Sequence, residues 1–600
     1  MSDSVGTRRA PGPIDRNEPS MIKDLSVMIA GRAGDGVLFT GNVLARLLKR
    51  HGWEIVTSRD FPSNIRGEAT CYTVRASLDK IYGLSDQVNI LLAFDCEAIL
   101  AHLPEIAENG IVFCDGAGEA SPSPEQARGK TFHRLYLRAL ARERFGREIF
   151  KNVIALGAIS YVLDLEFSLL EEIISEMFLK RKGEEVVRKN IEAARTGFEK
   201  AREITVEKEC HPLTRKADED RILISGDEAI GLGALAAGCR YFAAYPICPA
   251  SEIWQWLVHY LPDFGGAVVQ TEDELSSLNM ALGASFAGAR AMTSTSGPGA
   301  SLMMEAFSLA GMAEIPVVIA HVQRLGPSTG MPTKTQQGDV LQWIFGSHGE
   351  FPRIVLAPGT VGECFDLTVG AFNLAEKYQC PVILLTELDM GQDYRTARAF
   401  DFSTVRIDRG KLLTPEALRN RTDFKRYEIT DDGISPRALP SWKSGVHLVE
   451  SLEHDEQGYR DEDPLNRRRM MEKRMRKLDR AAADLFPPRS WGCQKAEVGF
   501  IGFGSTLGAI LEAMEQLRAK SIASRLLQLR TLWPFPAAEV REFLAETRTP
   551  FIVEHNFTGQ LATLIRSQVS PCGELKSILN GSTRPFTPRD IVEPVLRTRR

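Results

Sequence analysis

Leu25-Ser-Val-Met-Ile-Ala30 runs into the turn Gly31-Arg-Ala-Gly34-Asp-Gly36, and a helical apolar pattern follows at Val37, Leu38, Val43, Leu44, Leu47 and Leu48. A short apolar run, a glycine turn and an amphipathic helix make a strand–loop–helix unit. The order returns twice. Arg221-Ile-Leu-Ile-Ser-Gly226 leads into an Ala/Gly-rich helix through Gly238. Ala496-Glu-Val-Gly-Phe-Ile501 enters Gly502-Phe-Gly504-Ser505-Thr506 and a helix through Leu517. Other strand-like runs lie at Asn89–Phe94, Ile111–Cys114, Val153–Ala155, Gly266–Val269, Ala291–Ser294, Pro316–His321, Pro381–Leu385, Arg525–Leu529 and Pro550–Glu554. Alternation of strand and helix argues for parallel sheets covered on their faces, so the expected class is multidomain α/β.

Six hundred residues exceed one compact core, and three to five units are expected at about 100–200 residues each. The composition, 44% apolar and 25% charged, is that of a globular chain. With 73 basic against 78 acidic side chains the net charge is −5, which leaves no global basic excess for a nucleic-acid backbone. No apolar run reaches the ~18–20 residues of a membrane span, and the start lacks the apolar core of a signal peptide, so a cytoplasmic location is expected. The boundaries read as a disordered tail at 1–22, a first unit at 23–205, a linker at 206–220, a second unit at 221–401, an excursion at 402–490 and a third unit at 491–600. Ser168 to Arg202 reads as one long helix, and the basic helix Arg467–Arg480 as a solvated face. The ten cysteines include no C-x-x-C pair, so no zinc or cluster site is expected in this chain.

Several strand-end loops could carry chemistry. Backbone N–H groups of the Gly31–Gly36 turn, at a helix start, suit a pyrophosphate such as that of coenzyme A, though a tight structural turn explains it as well. In Tyr245-Pro246-Ile247-Cys248-Pro249-Ala250-Ser251-Glu252 two prolines stiffen a loop ahead of a helix. Gln270-Thr-Glu272-Asp273-Glu274 crowds three carboxylates before another; they favour the helix dipole, or one of them, in apolar surroundings, shares a proton with a cofactor nitrogen. Thr293-Ser-Thr-Ser296-Gly297-Pro298-Gly299 is rich in hydroxyls. Gln323-Arg324 precedes Gly326-Pro327-Ser328-Thr329-Gly330-Met331-Pro332-Thr333-Lys334, where an arginine at a strand end can clamp a carboxylate bidentately.

In combination these motifs resemble the α subunit of the 2-oxoacid:ferredoxin oxidoreductases, in the form with a γ domain fused ahead of the α part. The resemblance covers nearly the whole chain. It is carried by Gly31–Gly36 with Ser63-Asn-Ile-Arg-Gly-Glu68, and by Tyr245–Glu252, Glu272–Ala289, Ser296–Gly299 and Gln323–Thr333. In the last unit it rests on Gly502–Thr506, Leu532-Trp-Pro-Phe-Pro536 and Val553-Glu-His-Asn-Phe-Thr-Gly-Gln560. It implies a γ-like domain at 23–205, a pyrimidine-binding thiamine-enzyme domain at 221–401 and a transketolase C-terminal-like domain at 491–600.

The activity so implied splits CO2 from a 2-oxoacid, makes an acyl-CoA and passes two electrons to ferredoxin. The fused form and the Gln323–Thr333 loop are most similar to the 2-oxoglutarate branch, whose product is succinyl-CoA. The alternatives are pyruvate or branched-chain oxoacids, and, in another class, a non-catalytic nucleotide-binding assembly subunit. The resemblance also implies thiamine diphosphate shared with a separate β subunit that holds Mg2+ and a [4Fe–4S] cluster, in a dimer of α–β heterodimers. Glu274 becomes the pyrimidine-side glutamate, with Glu272 as alternative; Tyr245, Pro246, Ser296 and Gly297 lie on the cofactor side. Arg324 and Thr333 take the substrate carboxylate, Lys334 is the candidate for a second one, and Gly31, Gly34 and Gly36 face CoA. Two positions depart from the family pattern. Cys248 replaces a threonine whose hydroxyl donates to substrate, and a thiol is the weaker donor; the role passes to Ser251 or the substrate preference shifts. Asp35 stands where glutamine is common.

Overall fold

Three sheets carry the chain in a computed structural model that describes residues 23–63, 67–116, 123, 125–205, 220–570 and 573–599. The tail expected at 1–22, the linker apart from residue 220, and Cys210 and Cys572 lie outside the described residues. The first sheet has eight strands in the order Thr131–Arg134, Ile106–Cys114, Val88–Ala93, Asp24–Arg32, Ala69–Ser77, Glu54–Asp60, Arg395–Arg398 and Arg221–Ile224. It is mixed rather than parallel as expected, because Ala69–Ser77 runs antiparallel to both its neighbours.

The second sheet orders Thr531–Trp533, Ile354–Leu356, Pro381–Glu387, Val317–Gln323, Arg290–Thr295, Cys239–Ala244 and Ala267–Gln270, and only the first of these is antiparallel to its neighbour. Its central strands are buried along their whole length, as strands covered by helices on both faces must be. The third sheet orders Arg489–Gly492, Ser524–Leu529, Val498–Phe503, Thr549–Glu554 and Lys576–Leu579. The sheets exchange strands: Arg221–Ile224 opens the second segment yet pairs at the edge of the first sheet, and Thr531–Trp533 extends the second. One apolar cluster joins Ile319 and Ile383 of the second sheet to Ile501 and Leu527 of the third.

Two local expectations are corrected. Val153–Ala155 is not a strand but the start of the helix Lys151–Val162, in which every residue except Tyr161 is buried. A helix apolar on all sides has no 3.6-residue stripe, so a short window of it cannot be told from a buried strand. It crosses the helix Glu184–Ile204 at Gly157 and Gly197, where a Cβ on either would overlap a backbone carbonyl of the other. The helix expected over Ser168–Arg202 is two, Phe167–Lys182 and Glu184–Ile204, broken at Gly183 with φ of +82°.

The excursion at 402–490 is mostly irregular, and its helix Pro464–Arg476 is not simply a solvated face. Lys473 and Lys477 are fully buried, and each ammonium lies 2.5 Å from the equally buried carboxylate of Glu314. Burial alone would raise the Glu314 carboxyl, but the two lysines hold it well below the usual carboxylate range. One carboxylate cannot offset two ammoniums, and burial pushes Lys473 down to about 7. Arg426 donates to the backbone oxygen of Glu314 at 2.7 Å and to Gln379 at 2.9 Å. The excursion thus fastens the turns that enter Val317–Gln323 and Pro381–Glu387. Glu314→Ala would leave two buried cations unpaired and is expected to destabilise by about 3–5 kcal/mol. Lys473→Met keeps Glu314 paired with Lys477 and should cost far less. Thermal denaturation of the two variants side by side checks this, and equal losses would contradict it.

Candidate active site

Parallel strands deliver their loops at one end of a sheet, where α/β proteins bind ligands. At that end of the second sheet, Cys239–Ala244 leads to the Tyr245–Glu252 loop, Ala267–Gln270 to the acidic turn, Arg290–Thr295 to the hydroxyl-rich turn, and Val317–Gln323 to Arg324.

Asp273 caps the helix Glu274–Phe286, its carboxylate accepting from the Ser276 N–H at 2.8 Å, which leaves Glu274 at the first helical position. Glu274 is 5% exposed, whereas Glu272 is exposed. Among the described residues no side chain hydrogen-bonds the Glu274 carboxyl. Burial lifts it above its ordinary range, against its own backbone N–H and the field of Arg324. Gly299 makes room for it: a Cβ there would sit 2.5 Å from Glu274 Oε1 and would also overlap the Thr295 hydroxyl. On the neighbouring strand Arg290–Thr295 and the turn after it, the hydroxyls of Thr293 and Ser296 are buried without partners, and Ser296 stands at the start of the helix Gly297–Met312 without capping it. This end of the sheet therefore holds a carboxyl with a raised proton affinity and two unsatisfied hydroxyls, and buried polar groups without partners call for a polar ligand.

Arg324, 6% exposed, donates from Nη1 to the Cys248 carbonyl at 2.7 Å and from Nη2 to the Thr329 carbonyl at 3.1 Å, and its buried Nε–H has no acceptor. Burial lowers its pKa, opposed by Cys248, Asp339 and Glu274. The Cys248 thiol donates to the Pro332 carbonyl at 3.2 Å, and burial pushes it up to about 11, so it is a neutral thiol. Ser251 donates to Ile247 at 3.1 Å. These bonds fasten the Tyr245–Glu252 loop to the Arg324–Thr333 loop, with Thr333 buried and Tyr245 at 41% exposure. Lys334 does not join them; it forms an ion pair with Asp60 of the first sheet.

The Gly31–Gly36 turn lies apart from this group, at the end of Asp24–Arg32. Gly34 and Gly36 have φ of +98° and +85°, and Gly36 starts the helix Val37–Arg50 without a side-chain cap. Arg32, Asp95 and Arg138 line the cleft beside it. Asp35 is held inward by Lys151, Arg138 and the Arg32 N–H, which keep its carboxyl low despite burial. The motif residues 64–66 lie outside the described residues.

Sequence reading missed two groups. Asp227 is fully buried with both carboxylate oxygens unpartnered, and burial raises it well above the ordinary range. His321 lies on the buried strand before Arg324, its Nε2 2.8 Å from Asp339. Each is one polar residue in an apolar run or a helix start, and no spacing marks it.

Comparisons agree along the chain. A family model described as pyruvate ferredoxin/flavodoxin oxidoreductase matches residues 26–200. Its thiamine-diphosphate-binding counterpart matches 232–474, and the pyruvate:ferredoxin oxidoreductase core domain II matches 496–591. The α subunit of 2-oxoacid:ferredoxin oxidoreductase 2 of Aeropyrum pernix is 34% identical over 96% of this chain and 97% of its own. The 2-oxoglutarate synthase subunit KorA of Methanothermobacter thermautotrophicus is 34% identical over 64% of this chain and 100% of its own. Among solved structures, the 2-oxoglutarate:ferredoxin oxidoreductase of Magnetococcus marinus, with 2-oxoglutarate, coenzyme A and succinyl-CoA bound, superposes with a TM-score of 0.90. It is 35% identical, over 96% of this chain and 99% of that one.

Gly299→Ala is expected to destabilise by about 1–3 kcal/mol, because the added methyl must displace Glu274 and Thr295. Gly283→Ala, in the helix Glu274–Phe286 where a Cβ meets nothing within 4 Å, should instead stabilise by about 0.5–1 kcal/mol. Melting temperatures of the two variants read the contrast.

Proposed function

The chain belongs to the 2-oxoacid:ferredoxin oxidoreductase family as an α-type subunit, and from that premise we propose that it acts in the CoA-dependent oxidative decarboxylation of 2-oxoglutarate. The products are succinyl-CoA and CO2, with two electrons passed to ferredoxin. The observation that carries this reading is the Glu274 carboxyl, buried at a helix start, unpartnered by any described side chain and raised in proton affinity. Such a group fits the pyrimidine ring of thiamine diphosphate, and the unsatisfied hydroxyls of Ser296 and Thr293 fit its polar edge. When bound, thiamine diphosphate supplies the electron sink for decarboxylation. In the proposal a separate β subunit holds the diphosphate, Mg2+ and the [4Fe–4S] cluster.

The roles of this chain's residues follow from their surroundings. Glu274 shares a proton with the ring nitrogen, a task for which a carboxyl raised above its ordinary range by burial is suited. Arg324 is already oriented by two backbone carbonyls, so its guanidinium is set to meet a substrate carboxylate at little reorganisation cost. The Cys248 thiol is spent on Pro332 and positions the loop, which leaves the carboxylate-binding hydroxyl to Thr333. CoA is assigned to the Gly31–Gly36 turn, whose cleft is lined by Gly34 with Arg32 and Arg138.

The 2-oxoglutarate assignment is supported by the KorA relatives and by the ligands of the Magnetococcus marinus structure. One observation favours pyruvate instead: Lys334, the candidate partner for a distal carboxylate, is paired with Asp60. The test is CoA-dependent viologen reduction by this chain co-purified anaerobically with its β partner. Preference for 2-oxoglutarate over pyruvate is expected, and the reverse preference overturns the substrate. Glu274→Gln should lower turnover at least about 100-fold with assembly intact. Arg324→Lys should raise the oxoacid KM. Undiminished turnover in both variants would support a non-catalytic subunit.

A further inference from the structure

The third unit contributes none of the residues assigned above, although two of its motifs, Gly502–Thr506 and Val553–Gln560, mark the family resemblance. Both close on one side chain. Gln337 is 0% exposed and lies on the return arm of the Arg324–Lys334 loop. Its Nε2 donates to Glu387 Oε1 at 2.6 Å and to the Phe503 carbonyl at 3.0 Å. Its Oε1 accepts from the His555 N–H at 3.0 Å, its own N–H donates to the His555 carbonyl at 2.7 Å, and Asn556 Nδ2 donates to its carbonyl at 3.0 Å. Every polar atom of the amide is used, and the partners come from the end of Pro381–Glu387 and from both motifs of the third unit.

The bonds around this hub continue in both directions along the arm. Thr335 donates to Asp389 at 2.9 Å, and Gln336 accepts from the Gly326 N–H at 3.1 Å. The Gln560 side chain donates to the Gly338 carbonyl at 2.5 Å and accepts from the Leu341 N–H at 3.1 Å. The outgoing arm is tied to the return arm by the Leu325 N–H, which donates to the Lys334 carbonyl at 2.9 Å. Two buried glutamates, Glu387 at the end of its strand and Glu554 of the second motif, are consumed in holding the clamp. The Ser505 N–H donates to Glu387 at 3.1 Å, where Gly504 has no room for a Cβ, and the Leu561 and Ala562 N–H groups donate to Glu554 at 2.7 and 3.0 Å.

We propose that Gln337 is a positioning residue, through which the C-terminal unit sets the loop that carries Arg324 and Thr333 and so tunes affinity for the oxoacid carboxylate. The inference rests on the proposed function. Gln337 touches neither substrate nor cofactor in it; it acts on Arg324 and Thr333 by fixing the arm that returns from them. Interactions that place a loop equally for bound substrate and for the transition state appear in KM rather than in kcat.

The experiment uses the assembled α–β complex with Gln337→Ala, Asn556→Ala and the double variant. Gln337→Ala should raise the oxoacid KM about tenfold with kcat changed less than about threefold and the CoA KM unchanged. Hydrogen exchange at residues 325–334 should quicken in both single variants. Because both act through one clamp, the double variant should show little more than the larger single effect. An unchanged oxoacid KM with unchanged exchange overturns the proposal, as does simple additivity of the two variants. Should Gln337→Ala fail to assemble, Gln337→Met, which keeps the volume and removes the donors, is read by the same measures. If the wild-type complex turns over no oxoacid, the functional reading fails, and exchange at 325–334 still decides whether Gln337 positions the loop.

Discussion

The molecule depends most on the parallel pairing of Val317–Gln323 with Pro381–Glu387, which sets Val317 opposite Pro381 and Gln323 opposite Glu387 with no slip between. Both strands are buried throughout, so a one-residue shift would turn every side chain to the opposite helix-covered face and break the packing of both faces, and the register is strongly specified. Level strand ends are what bring the Arg324 loop and Glu387 to one height. At the other end of the pair, Glu314 and Gln379 enter the strands, and there the excursion at 402–490 docks its buried lysines and Arg426. The two ends of one strand pair are thus gripped by different parts of the chain, one by ion pairs and one by the amide hub at Gln337.

Burial acts on the carboxyls of Glu314, Glu387, Asp393, Glu274 and Asp227 alike, and partners decide which way each one moves. Glu314, among Lys473, Lys477 and Arg426, stays ionised although burial opposes it. Glu387 has carboxylate neighbours and only amide and backbone donors, and burial with Asp389 pushes it up to about 8. Asp393 reaches about 8 by burial despite Arg59. Glu274 and Asp227, at helix starts with few donors, also rise. Glu274 follows a strand and Glu387 ends one at the carboxyl end of the second sheet, and Glu314 lies at its base. This separates a structural charge cluster from a zone able to hold protons.

Much of the fold was legible. The strand–turn–helix order at Gly31–Gly36, Ser225-Gly226 and Gly502–Thr506 appears as Asp24–Arg32 with Val37–Arg50, Arg221–Ile224 with Gly226–Ala236, and Val498–Phe503 with Thr506–Ala519. These signals are local: an apolar run, a glycine that takes a turn and a helical stripe are written in consecutive residues. The carboxylates of Gln270–Glu274 were legible as a group, and it took burial to separate Glu274 from the exposed Glu272.

The sequence by itself determined the α/β class and which strand-end loops hold polar residues, because composition and short-range spacing carry that information; the family came from the resemblance of its motifs in combination. Tertiary structure alone decided that Arg221–Ile224 completes a distant sheet and that Val153–Ala155 is helix. It also decided that the basic stretch near Lys473 is core, that Lys334 is claimed by Asp60, and that Gln337 joins three elements. Each of these depends on what lies across a gap of tens to hundreds of residues. Burial and ion pairing are properties of the neighbours a side chain acquires on folding, and a linear pattern does not list them.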